Sequence, residues 1–168
     1  MMKRLLAGIS VALLAIFAVA CGSNGAAKQS SSNGSKIQVV ASLDFYGEVA
    51  KAVGGNKVSV QSIINNPAVD PHDYEPTTKV GKSVASADLV VASGIGYDGW
   101  MDKVVKSADK SKNYLRVADD LMNKKEGDNE HIWYDPRTMP KLANTLADKF
   151  AKKDPADKAT FKANAKKY

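Results

Sequence analysis

Between residues 36 and 153 the apolar positions follow two rhythms. Short β-branched runs read as strands buried in a sheet: KIQVVAS at 36–42, KVSVQSII at 57–64 and DLVVASG at 88–94. The stretches between them carry apolar residues at helical spacing. One helix is predicted over 45–53, capped by Ser42 or Asp44 and stopped by Gly54-Gly55. A second is predicted over 77–87, capped by Thr77 or Thr78, and a third over 97–108, with Trp100, Val104 and Val105 on one side. NYLRVADDL, 113–121, predicts a fourth strand or extended segment. After the polar stretch NKKEGDNE, 123–130, Asp135 and Pro136 suit a helix start, and Met139, Leu142, Leu146 and Phe150 then recur at helical spacing. Asp154-Pro155 repeats that start and opens 156–168, a helix that is only weakly apolar and has nothing obvious to pack against. Strands alternating with helices predict parallel βαβ units in a layered α/β domain. In such sheets, ligands gather at the carboxyl ends of the strands.

The first residues follow neither rhythm. MMKRLLAGISVALLAIFAVAC begins with Lys3 and Arg4, runs apolar from Leu5 to Ala20 and ends in small residues before Cys21. That is the layout of an export signal, and the run is short for a stable membrane span. Cys21 is the only cysteine, so an exported chain has no disulfide partner for it. Its place directly after Ala18-Val19-Ala20 looks like a bacterial lipobox, which implies cleavage of 1–20 and lipidation of Cys21. Residues 21–35 then form a lipid anchor and a Gly/Ser/Asn tether, with a folded body from 36 onward. Lys3 and Arg4 carry two of the six net positive charges, and the rest are mixed with acids throughout. No basic run is interleaved with aromatics, so nucleic acid is not an expected partner.

The chain has two histidines, and both stand where chemistry is plausible. His72 lies in VDPHDYEPTTKV, between Pro71 and Pro76, with Asp70, Asp73 and Glu75 around it. A neutral imidazole is a good ligand for a borderline transition metal, and a proline-stiffened loop loses less entropy on binding. The nearby carboxylates, Asp73 and Glu75, are placed to orient the ring. His131 precedes Ile132-Trp133-Tyr134-Asp135-Pro136, where Trp133 offers an apolar wall against water. Read alone, His72 is equally well a surface-loop residue, and His131 reads better as a residue that packs at a helix entrance. Together they sit in loops at expected strand-to-helix transitions, outside any apolar face. The glycines of GIGYDGW, 94–100, read as easing a strand-to-helix turn rather than as a nucleotide site.

On these motifs the chain resembles the metal-binding lipoproteins of bacterial ABC importers, the zinc/manganese solute-binding proteins of cluster A-I. The resemblance rests on DPHDYEPT at 70–77, HIWYDPR at 131–137, ADLVVASGIGYDGWMDK at 87–103 and DPADKATFKANAKKY at 154–168. It implies that His72 and His131 bind the metal directly, each through a ring nitrogen, and that Tyr97 or Trp100 lines the metal cleft. It implies a two-lobe protein in which 36–153 is the N-terminal α/β lobe and 154–168 begins the linking helix. The other two ligands would come from a second lobe, and the sequence is expected to stop before it. The implied cargo is Zn²⁺ or Mn²⁺. The implied partners are an ABC permease and, through Cys21, the extracytoplasmic face of the cell membrane, with the protein a monomer. No histidine run occupies 123–131, which leans away from a zinc-buffering variant.

Two other functions fit the sequence less well. A hydrolase using His72, Asp73 and Glu75 would need an open coordination position and a positioned base, and the sequence carries no His-Glu-x-x-His helix or nucleophile-elbow serine. A surface adhesin is compatible with the tether and anchor, but no motif requires it.

Overall fold

The computed structural model describes residues 35–168. The signal at 1–20, Cys21 and the tether as far as residue 34 lie outside the described residues. Strand β1 is Ile37–Leu43, followed by helix α1, Asp44–Gly54. Strand β2, Val58–Ile64, helix α2, Thr78–Ser86, and strand β3, Leu89–Ala92, come next. Helix α3, Trp100–Ser107, leads to a short strand β4, Tyr114–Arg116. Helices α4, Thr138–Lys153, and α5, Lys158–Lys167, complete the order.

The four strands form one parallel sheet in the order β2-β1-β3-β4. Val39, Val40 and Ala41 of β1 and all of β3 are buried. That explains why these strands read as continuous apolar runs: a parallel sheet is covered on both faces. The chain goes from β1 outward to β2, then turns back past β1 to β3. Right-handed crossovers therefore place α1 on one face and α2 and α3 on the other. The packing follows this division, with α1 against α4 and α5, and α2 against α3. The reversal between β1 and β3 opens a crevice at the carboxyl ends of the strands, where α/β sheets bind ligands.

Most predicted elements form, and the departures have local causes. The expected strand 113–121 ends at Arg116, and Val117–Leu121 coils into a π-helical turn. Aspartate is a poor strand residue, and here Asp120 accepts the Arg116 N–H at 2.8 Å while Asp119 accepts the Ile95 N–H at 3.1 Å. Helix α3 starts at Trp100 rather than 97, because 94–99 form a tight turn. Asp135 is not the helix cap: its carboxylate accepts the Arg137 N–H at 2.9 Å, and α4 begins one residue later at Thr138. Thr77 does cap α2, accepting the Val80 N–H at 3.4 Å.

The weakly apolar closing helix does find a place to pack. Phe161 is fully buried and Ala165 nearly so, and Phe161 meets Phe150 of α4 edge-on at 5.7 Å. Asn164 donates to the Val53 carbonyl at the end of α1 at 3.0 Å. Two apolar residues at i and i+4 are enough for one face of a short helix. Among the described residues no helix is long and apolar enough to cross a membrane.

Candidate metal centre

An open cavity of about 650 Å³ lies at the carboxyl ends of the strands. Its wall includes Asp44 and Phe45 after β1, Asn66 to His72 after β2, Tyr97 after β3, and His131, Trp133 and Tyr134 from the loop before α4. The two histidines thus reach one cavity from separate loops.

Each loop is shaped by its own short polar side chains. Asp70 Oδ1 accepts the His72 N–H at 2.9 Å, and Asn66 Oδ1 accepts the Ala68 N–H at 3.0 Å. Such side-chain turns let Asp and Asn replace a backbone partner. On the other side, Asn129 Oδ1 accepts the His131 N–H at 3.0 Å. Ile132 is buried and opens a 3₁₀ turn, Ile132–Tyr134, that presents Trp133. Thr138 Oγ1 donates to the Ile132 carbonyl at 2.7 Å and ties this turn to α4.

Tyr97 stands between the histidines. Its ring lies 5.0 Å from His72, 6.1 Å from His131 and 4.9 Å from Trp133. Trp133 in turn touches His131 and Phe45, each at 5.2 Å between centroids. The histidines are therefore held against an aromatic wall, which limits their rotamers. Burial raises the Tyr97 hydroxyl above its ordinary pKa, and the charges of Asp70 and Glu130 raise it further. The same negative field favours a cation in the cavity.

Two neighbours of the rings escaped the sequence reading. Glu130 Oε1 lies 2.9 Å from His72 Nε2 and so links the two histidine loops. This pair is partly exposed, 43% and 28% by side chain, and contributes about 0–1 kcal/mol to stability. Asn129 Oδ1 lies 3.0 Å from His131 Nδ1. The signal was adjacency in NEH, but only folding brings Glu130 to His72. Among the described residues no three His, Cys, Asp or Glu side chains converge as a metal site.

The remaining sequence candidates fall elsewhere. Trp133 and Tyr97 line the cavity, whereas Trp100 does not: it is buried in the core against Tyr74 at 4.6 Å. As the first residue of α3 it points into the packed face of that helix. Asp73 and Glu75 are exposed and are not part of the cavity wall; Glu130, not either of these, meets the His72 ring.

The loop that carries Tyr97 is built around a buried carboxylate. Asp98 is 1% exposed and accepts the N–H groups of Ser93 at 2.7 Å and Gly94 at 2.9 Å. Burial raises its pKa; the two backbone bonds and the neighbouring Ser42 hydroxyl, which makes no well-formed bond to it, pull the other way. Gly94 is required on two counts: its φ is +89°, and a Cβ there would strike the Asp119 carboxylate. Gly94, Gly96 and Gly99 do fall at the spacing of a dinucleotide fingerprint. Asp98, however, already takes the Ser93 and Gly94 N–H groups and sets a negative charge beside them, which is hostile to a phosphate.

A family model described as zinc-uptake complex component A, periplasmic, matches residues 39–168. The chain belongs to this family. It is 33% identical over 95% of its length to a metal ABC transporter substrate-binding lipoprotein, SsaB, of Streptococcus sanguinis, covering 55% of that protein. It is 31% identical over 99% of its length to the manganese ABC transporter substrate-binding lipoprotein PsaA of Streptococcus pneumoniae, covering 57% of it. The crystal structure of the Zn(II)-bound ZnuA-like domain of Streptococcus pneumoniae AdcA matches 80% of this chain and 51% of that one, with 28% identity and a TM-score of 0.67. The chain spans about half the length of the curated relatives it matches. The four-stranded parallel fold is that of a single lobe of a two-lobe solute-binding protein.

Proposed function

We propose that this chain is the metal-capturing lobe of an extracytoplasmic substrate-binding lipoprotein that delivers a divalent transition metal to an ABC permease. His72 and His131 are the two ligands this lobe contributes. The observation that carries the reading is their meeting at one cavity, from two loops, on either side of Tyr97. Family membership supports transport rather than catalysis, and capture requires no covalent chemistry. Imidazole nitrogen suits zinc well and is compatible with other first-row metals, so the cargo is Zn²⁺ or Mn²⁺. Relatives whose names carry manganese and zinc support both.

Lipidated Cys21 would hold the protein on the outer face of the cell membrane, with 21–35 as its tether. Residues 154–168 are read as the opening of the helix that leads to a second lobe, which in this family would supply the remaining ligands. Two imidazoles alone fill half of a four-coordinate zinc site. Calorimetric titration of the full chain with Zn²⁺ and Mn²⁺ tests the proposal. Binding of micromolar affinity or weaker that disappears in a His72→Ala, His131→Ala double variant is expected. Binding that the double variant leaves unchanged would rule out the ligand assignment.

A further inference from the structure

The contacts of Asn129 carry more than loop geometry. Its Oδ1 lies 3.0 Å from the His131 backbone nitrogen and 3.0 Å from His131 Nδ1. The backbone N–H can only donate, so the Asn129 atom that meets both nitrogens is an acceptor. A ring nitrogen that faces an acceptor must itself carry a proton. Nδ1 of His131 is therefore the protonated nitrogen, and in the neutral ring the lone pair falls on Nε2. Trp133 and Tyr97 flank the ring, so Asn129 selects the tautomer while the aromatic wall fixes the plane.

We propose that Asn129 is a positioning residue, whose side-chain oxygen holds His131 in the Nδ1–H tautomer and offers Nε2 as the metal-binding nitrogen. The proposal rests on the metal-capture reading given above. Metal-bound histidines commonly donate their other ring N–H to an oxygen acceptor, and loss of that acceptor weakens metal binding about 10–100-fold. The partner in this chain is a residue two positions back, so one short motif, NEH, would supply both the ligand and its orienting group.

The two imidazoles are the only ones in the chain, which makes the test clean. The untagged full chain, with ¹⁵N-labelled histidine, is studied without metal by two-bond ¹H–¹⁵N correlation, and His72→Ala assigns the two rings. His131 is expected as the Nδ1–H tautomer in the wild type and in Asn129→Asp, whose carboxylate keeps an acceptor. Asn129→Ala is expected to lose that preference. Zn²⁺ titration of the same samples should then show roughly 10–100-fold weaker binding for Asn129→Ala and recovery in Asn129→Asp. An Nε2–H tautomer in the metal-free wild type would overturn the proposal. So would an Asn129→Ala protein whose His131 tautomer and zinc affinity match the wild type. Wild-type protein that shows the Nδ1–H tautomer but binds no zinc would defeat the metal-capture reading and leave the tautomer assignment standing.

Discussion

Asp98→Ala should be among the most damaging single substitutions outside the histidine loops. The carboxylate is 1% exposed and closes the 94–99 turn through two backbone N–H groups, at 2.7 and 2.9 Å. Alanine leaves both donors buried and unpaired. Each orphaned buried donor costs about 1–3 kcal/mol, which sets a range of about 2–6 kcal/mol. Part of that is returned, because the raised pKa shows that the charged form is not fully compensated where it sits. The expected loss is about 2–4 kcal/mol. For a folded body of this size each kcal/mol moves Tm by roughly 4 °C, so a drop of about 8–16 °C is expected. Urea denaturation followed by circular dichroism, with a thermal scan beside it, measures both. Asp98→Asn keeps one acceptor and no charge, so its loss should be smaller. An Asp98→Ala protein within about 0.5 kcal/mol of wild type, the scale of an ordinary surface change, would refute the claim that this carboxylate organises the Tyr97 loop.

Other expectations follow from the same contacts. Because the folded state raises the pKa of Asp98, it holds that proton to higher pH than the unfolded chain does, so this group's contribution to stability falls as pH rises from about 3.8 through the folded value. The difference in unfolding free energy between wild type and Asp98→Asn should therefore shift against the wild type over that window, and a pH-independent difference would contradict the assignment. Phe161→Ala should destabilise the lobe by about 3–5 kcal/mol, because the ring is fully buried against Phe150. A near-neutral result in urea melts would mean that α5 is not part of this core. Gly94→Ala should lower the melting temperature more than Gly96→Ala, since a Cβ at Gly96 meets nothing while one at Gly94 strikes Asp119. Equal effects on a thermal scan would show that the left-handed φ common to both glycines, and not the Asp119 contact, sets the cost.

The alternation of β-branched runs and helical spacing was sufficient to read the parallel α/β lobe, because β1 and β3 are buried on both faces and leave that mark on the sequence. The end of β4 was not legible: Val117 and Leu121 look like strand residues, and the strand stops where Asp120 takes the Arg116 N–H locally and Asp119 reaches across to Ile95. Within the candidate site, the histidines stood out by motif. Their partners did not, since Glu130 meets His72 across 58 residues and nothing local announces it. Asp98 read as one more acid in a glycine-rich turn, and its burial depends on the whole loop closing over it. Trp100 and Phe161 illustrate the same limit in reverse. An aromatic beside the cleft in sequence points into the core, and one in a polar helix is among the most buried side chains.

If the proposal holds, His72 and His131 bind one metal ion together. Zinc K-edge X-ray absorption of the Zn²⁺-loaded full chain reads that shared coordination. Imidazole scattering from two histidines is expected, reduced to one ring in either His72→Ala or His131→Ala and lost in the double variant. A zinc environment of oxygen ligands alone, unchanged by these substitutions, would contradict it.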